Sequence, residues 1–198
     1  MGSEIFLLRH GETEWNAAGR FQGRLDSPLT QRGRDQAAEV GRTLAAVLAG
    51  RSTPPLHVSP LGRAQETASI VACQIPGLHS SRVEPRLQEV TTGSWDGLTH
   101  TDIEAGWPNA LDGATEFDWY FRSPDGEDYP AAVGRVRTWL DGLDGSVIAV
   151  SHGLLGRLVR GVWLGLPREE ALLLPVPQDV VWHLSASGVR PLASGLGL

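Results

Sequence analysis

The chain contains no lysine, so all 17 of its basic residues are arginines. We interpret this as a compositional bias rather than as a sign of anion recognition. Because 23 acidic residues outnumber the arginines, the net charge is −6. This charge argues against nucleic acid as the main partner, since non-specific binding to a phosphate backbone needs a positive surface. Any anion site must therefore be a local cluster of arginines in an acidic protein.

Cysteine and long apolar runs are also scarce. Cys73 is the only cysteine, which excludes an internal disulfide and argues against a cysteine-based metal site. It lies in an apolar helical stretch, where we expect it to be buried. No apolar run approaches the ~20 residues that span a bilayer, and a strand pattern follows residues 1–4 directly, without a signal segment. We therefore expect a cytoplasmic protein with no membrane partner.

What the sequence does contain is an alternation of apolar runs and helical periodicity. Short apolar runs predict strands over 5–8, 56–58, 82–84, 146–150, 180–184 and 189–192. Apolar residues spaced by three and four predict helices over 31–48, 61–74, 132–143 and 154–164. This order favours an α/β fold, a three-layer α/β/α sandwich with a mostly parallel central sheet, in a single domain over residues 1–198.

One long segment, residues 91–130, lacks this regularity. It is rich in Gly, Trp, Pro and Asp and shows only short fragments of helix, such as 101–105. A long irregular segment inside a compact domain is usually functional, so we predict a variable cover over an active site. Its aromatic residues either line a pocket for the organic part of a ligand or only pack together: Trp107, Trp119, Tyr120 and Phe121.

Polar clusters follow the predicted strands at their carboxyl ends. The first strand runs into an arginine, a histidine and a glycine, and the helix after the second strand has an arginine in its first turn. A glutamate follows the third strand, and a histidine with a glycine follows the fourth. Carboxyl ends of parallel strands face one crevice, so these residues are expected to converge. They are Arg9, His10, Gly11, Arg63, Glu89, His152 and Gly153.

This set of side chains suits phosphoryl transfer from a monoester. Two guanidinium groups can neutralise a phosphate dianion, and the helix N-termini after the first, second and fourth strands are expected to add amide donors. One histidine can attack phosphorus through a neutral nitrogen, while the other stabilises charge on the equatorial oxygens. A protonated carboxyl group can supply the leaving alkoxide with its proton. Glu89 is the candidate, with Glu12 and Glu14 as alternatives.

Five segments in this order resemble the motifs of a known family, the histidine phosphatase superfamily, which includes the cofactor-dependent phosphoglycerate mutases. The resemblance covers nearly the whole chain, and five ordered motifs are far more specific than any one of them. The segments are LRHGETEWN at 8–16, FQGRLDSPLT at 21–30, SPLGRAQET at 59–67, LQE at 87–89 with GSWDGL at 93–98, and SHG at 151–153.

The resemblance implies a phosphoglycerate mutase-like fold and catalytic roles for five residues. His10 would become phosphohistidine, and Glu89 would protonate the leaving group and then activate water. The phosphate pocket would consist of Arg9, Arg63 and His152. The residues that would bind the substrate are Gly11, Thr13, Asn16, Gln22, Gly23 and Gly153. No cofactor and no metal is implied.

Within this family the sequence leaves more than one activity open. His152 is followed by Gly153 rather than by aspartate, which resembles the branch whose acid is a glutamate. The interval from Glu89 to His152 is 63 residues (152 − 89), which favours a phosphatase for small phosphomonoesters over the longer mutases. The alternatives are a phosphoglycerate mutase that uses 2,3-bisphosphoglycerate and a catalytically idle domain that binds phosphorylated ligands. The oligomeric state stays open, with a homodimer among the alternatives.

Overall fold

The computed structural model of the chain describes residues 3–78, 81–115 and 118–192. The strands are β1 (Ile5–Arg9), β2 (Leu56–Val58), β3 (Ser81–Val83), β4 (Val147–Ser151), β5 (Val181–Ser185) and β6 (Gly188–Leu192). The α-helices are α1 (Glu14–Ala17), α2 (Gln31–Leu48), α3 (Gly62–Gln74), α4 (His100–Gly106), α5 (Tyr129–Asp141), α6 (Gly153–Leu164) and α7 (Arg168–Leu172). Short 3₁₀ turns lie at Pro85–Leu87, Gly93–Trp95 and Trp119–Phe121.

The strands form one sheet in the order β3-β2-β4-β1-β5-β6. The first four of these pair in parallel, whereas β5 runs antiparallel to β1 and β6 antiparallel to β5. In the central pair, Arg9 lies opposite Ser151. The amide of His10 donates to the carbonyl of Ser151 at 2.9 Å, and that of Ser59 donates to the carbonyl of Val150 at 3.0 Å. The register thus places the carboxyl ends of β1, β2 and β4 side by side.

Side-chain alternation along the central strands divides the core into two layers. Ile5 and Leu7 pack with buried residues of α5 and α6 on one face of the sheet. Phe6 and Leu8 pack with α2 and α3 on the other face. Helices therefore cover both faces, which confirms the predicted three-layer α/β/α sandwich with a mostly parallel sheet.

Residues 91–130 carry a small core of their own. Trp95, Ile103 and Trp119 are buried together, and Phe21 and Trp107 pack against them. Trp95 thus packs the segment internally, and it is not part of the cavity described below. The irregular cover is thus a folded layer with a core of its own, and Phe21 of the preceding loop packs into that core.

Several details differ from the sequence-based expectations. Helix α5 begins at Tyr129 instead of at 132, because the Asp128 side chain accepts the amide of Ala131 at 2.7 Å and Pro130 is tolerated in the first turn. Cys73 is exposed, so the expectation of a buried cysteine is wrong. No helix among the described residues is long and apolar enough to cross a membrane. The cytoplasmic location stays a prediction.

Candidate active site

A cavity of about 110 Å³ opens at the carboxyl ends of β1 and β4. Its volume lies below the roughly 300–1,000 Å³ of pockets for drug-sized ligands, so it suits a small ligand. Three of the residues predicted from the sequence are not part of its lining, namely Gly11, Thr13 and His152. Those that do line it are Arg9, His10, Asn16, Gln22, Gly23, Arg63, Glu89 and Gly153.

His10 is a buried residue of the lining, one position beyond β1. Its Nδ1 lies 2.8 Å from the carbonyl oxygen of Gly11. Because a carbonyl oxygen only accepts, Nδ1 carries the proton and Nε2 keeps its lone pair. Burial, with the charges of Arg9 and Arg63, holds the pKa of His10 well below its usual value of 6.5. The ring is therefore neutral near pH 7, as a nitrogen nucleophile must be.

Arg63 lies in the first turn of α3 and is almost completely buried. Its Nη1 donates to the carbonyl of Leu25 at 2.6 Å and to Oδ1 of Asp26 at 3.0 Å. Its Nη2 donates to the carbonyl of Gly23 at 2.8 Å. The guanidinium is thus fixed in one plane by the loop that precedes α2, before any ligand arrives.

Arg9 lies at the end of β1, and its Nη1 donates to the carbonyl of Val176 at 2.6 Å. The Nε atoms of Arg9 and Arg63 are buried and have no hydrogen-bond partner among the described residues. Burial lowers the pKa of both side chains from its usual value, yet a guanidinium stays charged near neutral pH. A buried guanidinium and a half-buried one, each with a buried Nε that has no partner among the described residues, lie beside a neutral imidazole and form a site for an anion.

Glu89 connects the cavity to the start of α6. Its Oε1 accepts the amides of Val90 and Leu155, both at 2.9 Å, and its Oε2 accepts that of Leu154 at 3.1 Å. The carboxylate therefore caps the helix that follows His152. Glu12, by contrast, accepts from the Thr30 hydroxyl at 2.9 Å and does not line the cavity.

This arrangement corrects the expectation that helix N-termini offer their amides to a phosphate. At α3, Asp26 accepts the amides of Gly62 at 2.5 Å and of Arg63 at 3.2 Å. At α6, the amides of Leu154 and Leu155 are bound to Glu89. Since carboxylates already accept from these four amides, the expectation is wrong for them, and the arginines are the main donors to a ligand.

His152 lies directly after β4, with its ring centroid 5.2 Å from that of His10. Its Nε2 is 2.6 Å from Oγ of Ser59, whereas Nδ1 is buried and lacks a partner among the described residues. Burial, with the charge of Arg63 next in size, holds the pKa of His152 well below its usual value. His152 is therefore a second neutral imidazole, which can contribute a hydrogen bond but no positive charge.

The other predicted binding residues divide into two groups. Asn16 and Gln22 line the cavity with amide side chains, and Oε1 of Gln22 is buried and has no partner within the described chain. Thr13 instead caps α1, accepting the amide of Asn16 at 3.1 Å. Gly11 packs on another backbone, since an added Cβ would lie 2.2 Å from the carbonyl oxygen of Gly33. Thr13 and Gly11 thus shape the loop, and their contact with a substrate stays a prediction.

Comparison with known proteins decides the family. Residues 5–192 match the sequence model of the histidine phosphatase superfamily (branch 1). The chain belongs to the histidine phosphatase superfamily. The resemblance read from the five motifs is thereby confirmed.

Relatives in this superfamily carry the names of mutases and of phosphatases. The protein named probable phosphoglycerate mutase GpmB of Salmonella paratyphi C (strain RKS4594) is 38% identical, with 97% of this chain and 89% of that protein covered. The solved alpha-ribazole phosphatase from Shigella flexneri is 28% identical, with a TM-score of 0.77 over 98% of both chains. A mycobacterial glucosyl-3-phosphoglycerate phosphatase in complex with VO3 is 31% identical, with a TM-score of 0.74 over 96% of both chains.

This histidine phosphatase superfamily member has cavity residues that sequence reasoning missed. Arg157, on α6, and Arg20 both line the cavity, and the Nε of Arg157 donates to the carbonyl of Leu174 at 2.7 Å. Tyr120 of the cover, one of the aromatic residues expected either to line a pocket or only to pack, lines the cavity as well, and burial raises the pKa of its hydroxyl. One signal was available for Arg157: two arginines in the otherwise apolar run of α6 are unusual and indicate a buried role.

Proposed function

We propose that the chain is a phosphatase that hydrolyses small phosphomonoesters through a phosphohistidine intermediate on Nε2 of His10. One observation carries the proposal: the bond from Nδ1 to the carbonyl of Gly11 holds a neutral ring whose Nε2 keeps its lone pair, in a cavity that the buried Arg63 and the half-buried Arg9 also line. A nucleophile with this protonation state, next to fixed cations, is what attack on a phosphate dianion requires.

In the first step the Nε2 lone pair of His10 forms a bond to phosphorus, and the bond from phosphorus to the ester oxygen breaks. Arg9 and Arg63 neutralise the three remaining phosphoryl oxygens as charge develops on them. His152 lies outside the cavity lining, so its hydrogen bond to the phosphoryl group stays a prediction. The ester oxygen leaves as an alkoxide that needs a proton, since alkoxides are poor leaving groups.

Glu89 is the proposed source of that proton, because Glu12 and Glu14 lie outside the cavity lining. Its two carboxylate oxygens differ in the number of amides from which they accept. Oε1 already accepts two amides at 2.9 Å, whereas Oε2 accepts one at 3.1 Å and retains a lone pair. Oε2 is therefore the oxygen that carries the proton to the alkoxide.

In the second step the same carboxylate acts as a base. Oε2 of Glu89 removes a proton from a water molecule, the water oxygen bonds to phosphorus, and the bond from phosphorus to Nε2 of His10 breaks. Inorganic phosphate leaves, and both His10 and the protonated Glu89 return to the states in which they began. The cycle uses the chain's own side chains, and we propose that it needs no metal and no cofactor.

The alternative is a mutase, in which the phosphoryl group returns from His10 to a second hydroxyl of the substrate. The curated relatives carry that name. We favour the phosphatase because the two solved structures reported above are named phosphatases and are covered over 96–98% of their length. The third possibility, an idle binding domain, is disfavoured by the presence of both His10 and Glu89 in the cavity.

Turnover of a panel of small phosphomonoesters, with and without 2,3-bisphosphoglycerate, tests the proposal. The expected result is release of inorganic phosphate that is independent of the bisphosphate and unchanged by EDTA. Interconversion of phosphoglycerates that requires the bisphosphate would establish the mutase instead. Absence of turnover, together with absence of an acid-labile phosphoprotein, would leave only the binding domain.

A further inference from the structure

The turn that carries Glu89 is held by an arginine outside the cavity lining. Nη1 of Arg135, on α5, donates to the carbonyl of Arg86 at 2.7 Å and to that of Gln88 at 2.8 Å. The second of these carbonyls belongs to the peptide bond that leads directly into Glu89. Arg135 therefore binds the backbone from which the carboxylate extends, without touching the carboxylate.

A carboxylate in turn fixes the plane of the Arg135 guanidinium. Glu127 accepts its Nε at 2.6 Å on one oxygen and its Nη2 at 2.8 Å on the other. The backbone of Glu127, near the end of the cover, is tied to the start of the cover, since its amide donates to the carbonyl of Thr91 at 2.9 Å. Both side chains are mostly buried, 15% and 11% exposed. A bidentate, mostly buried pair of this kind leaves the guanidinium little rotational freedom.

A side chain of the sheet binds the remaining carbonyl of this turn, that of Leu87. Oγ of Ser151, the last residue of β4, donates to the carbonyl of Leu87 at 2.8 Å, and both groups are buried. Ser151 directly precedes His152. The carbonyls of three consecutive residues, 86–88, are thus bound by side chains of α5 and β4, while the carboxylate beyond them binds α6.

We propose that Arg135, held by Glu127, is a positioning residue for the proton transfer at Glu89. It fixes the peptide unit that precedes Glu89, so that Oε2 stays beside the leaving oxygen instead of moving with a loose turn. The inference rests on the general-acid role that the proposed function gives to Glu89. It assigns to the Arg135–Glu127 pair an effect on one chemical step, beyond its contribution to stability.

The effect of Arg135 on proton transfer can be measured by comparing substrates with different leaving groups. 4-Nitrophenolate leaves without a proton, whereas a simple alkoxide needs one, so loss of a well-placed acid slows only the alkyl ester. We compare kcat/KM for 4-nitrophenyl phosphate and for 2-hydroxyethyl phosphate. This parameter covers the steps up to phosphohistidine formation and excludes its later hydrolysis. Arg135→Met is expected to lower kcat/KM by about 10- to 100-fold for the alkyl ester and by about threefold or less for the nitrophenyl ester.

Three further variants separate positioning from general damage. Arg137→Met is the same substitution at an exposed arginine of α5 and should leave both substrates unaffected. Glu127→Gln and Arg135→Lys keep part of the hydrogen-bond set, so each should show the same selectivity in a weaker form. Thermal unfolding shows whether Arg135→Met folds. If it does not, Glu127→Gln and Arg135→Lys test the positioning role in its place. Equal losses for both substrates in the folded variants, or no loss, would overturn the inference.

Glu89→Gln distinguishes failure of this inference from failure of the proposed function. If Glu89→Gln slows the alkyl ester selectively and the Arg135 and Glu127 variants do not, the acid is correct and the positioning role is wrong. If Glu89→Gln itself slows both esters equally, the general-acid role in the proposed function is wrong, and the positioning role is overturned with it.

Discussion

One carboxylate, that of Asp26, holds both the charged group and the backbone of Arg63. Its Oδ1 lies 3.0 Å from Nη1 and 3.2 Å from the backbone amide of Arg63, and its Oδ2 lies 2.5 Å from the amide of Gly62. This side chain therefore caps the first turn of α3 and, together with the carbonyls of Gly23 and Leu25, holds the guanidinium in the cavity. Asp26 is partly exposed, whereas Arg63 is buried.

Asp26→Ala is expected to weaken both the cap of α3 and the placement of the Arg63 guanidinium. Loss of the helix cap should lower the free energy of unfolding by about 1 kcal/mol. Loss of the carboxylate partner should let the guanidinium shift and reduce kcat/KM about tenfold. Asp128→Ala is the matched control, because Asp128 caps α5 through the amide of Ala131 and does not line the cavity. A similar loss of activity in both variants would show that Asp26 acts through stability alone.

Two buried histidines should make the stability depend on pH. Burial, with nearby arginines, holds the pKa of His10 and His152 well below 6.5 in the folded chain. Their stabilising contribution is complete above about pH 6.5, and it is lost as the pH falls from there toward the lowered folded values, because only the unfolded chain takes up these protons. For each histidine the loss grows by at most about 1.36 kcal/mol per pH unit below about pH 6.5.

Urea unfolding at about pH 7.5 and pH 5 measures this dependence. The variants His10→Gln and His152→Gln should each lose less stability than the parent chain between the two pH values. The other titrating groups are common to all three proteins, so the difference isolates one imidazole. An identical pH dependence in all three proteins would mean that folding does not lower the pKa of these two rings.

The contact between Gly11 and Gly33 sets the shape of the loop after β1. A Cβ added at Gly11 would lie 2.2 Å from the carbonyl oxygen of Gly33. Because this neighbour is backbone and not a flexible side chain, it cannot easily move away to remove the clash. Gly11→Ala should therefore lower the free energy of unfolding by about 3 kcal/mol or more. Gly134→Ala is the control, since it lies inside α5 with open space around the added Cβ. It should stabilise the chain by about 1 kcal/mol in the same thermal or urea measurement.

Much of the fold could be predicted because its signals are local. Helix α2 runs over the predicted residues, since Thr30 caps it by accepting the amide of Gly33 at 3.0 Å and its apolar spacing is regular. The convergence of residues that follow β1, β2 and β4 was predictable too, because parallel strand ends share one edge of a sheet. Periodicity did not show which face of α3 is buried, and Cys73 lies on the exposed one.

The roles of the two capping carboxylates could not be predicted, because they depend on contacts between distant parts of the chain. Asp26 meets Gly62 across 36 positions, and Glu89 meets Leu155 across 66. Nothing local distinguishes a helix start that is open to a ligand from one already capped in this way. The same applies to Arg135, whose four bonds join α5 to the segment before Glu89 and to Glu127.

Phosphoenzyme trapping tests the central claim most directly. The chain is mixed with a phosphomonoester substrate, quenched in base and digested, and the phosphorylated residue and its nitrogen are identified by mass spectrometry and phosphorus NMR. Because Nδ1 of His10 is bound to the carbonyl of Gly11, we predict an acid-labile phosphoryl group on Nε2 of His10, absent from His10→Gln. Phosphorylation on Nδ1 or on His152, or turnover by His10→Gln at the rate of the parent chain, would contradict the account.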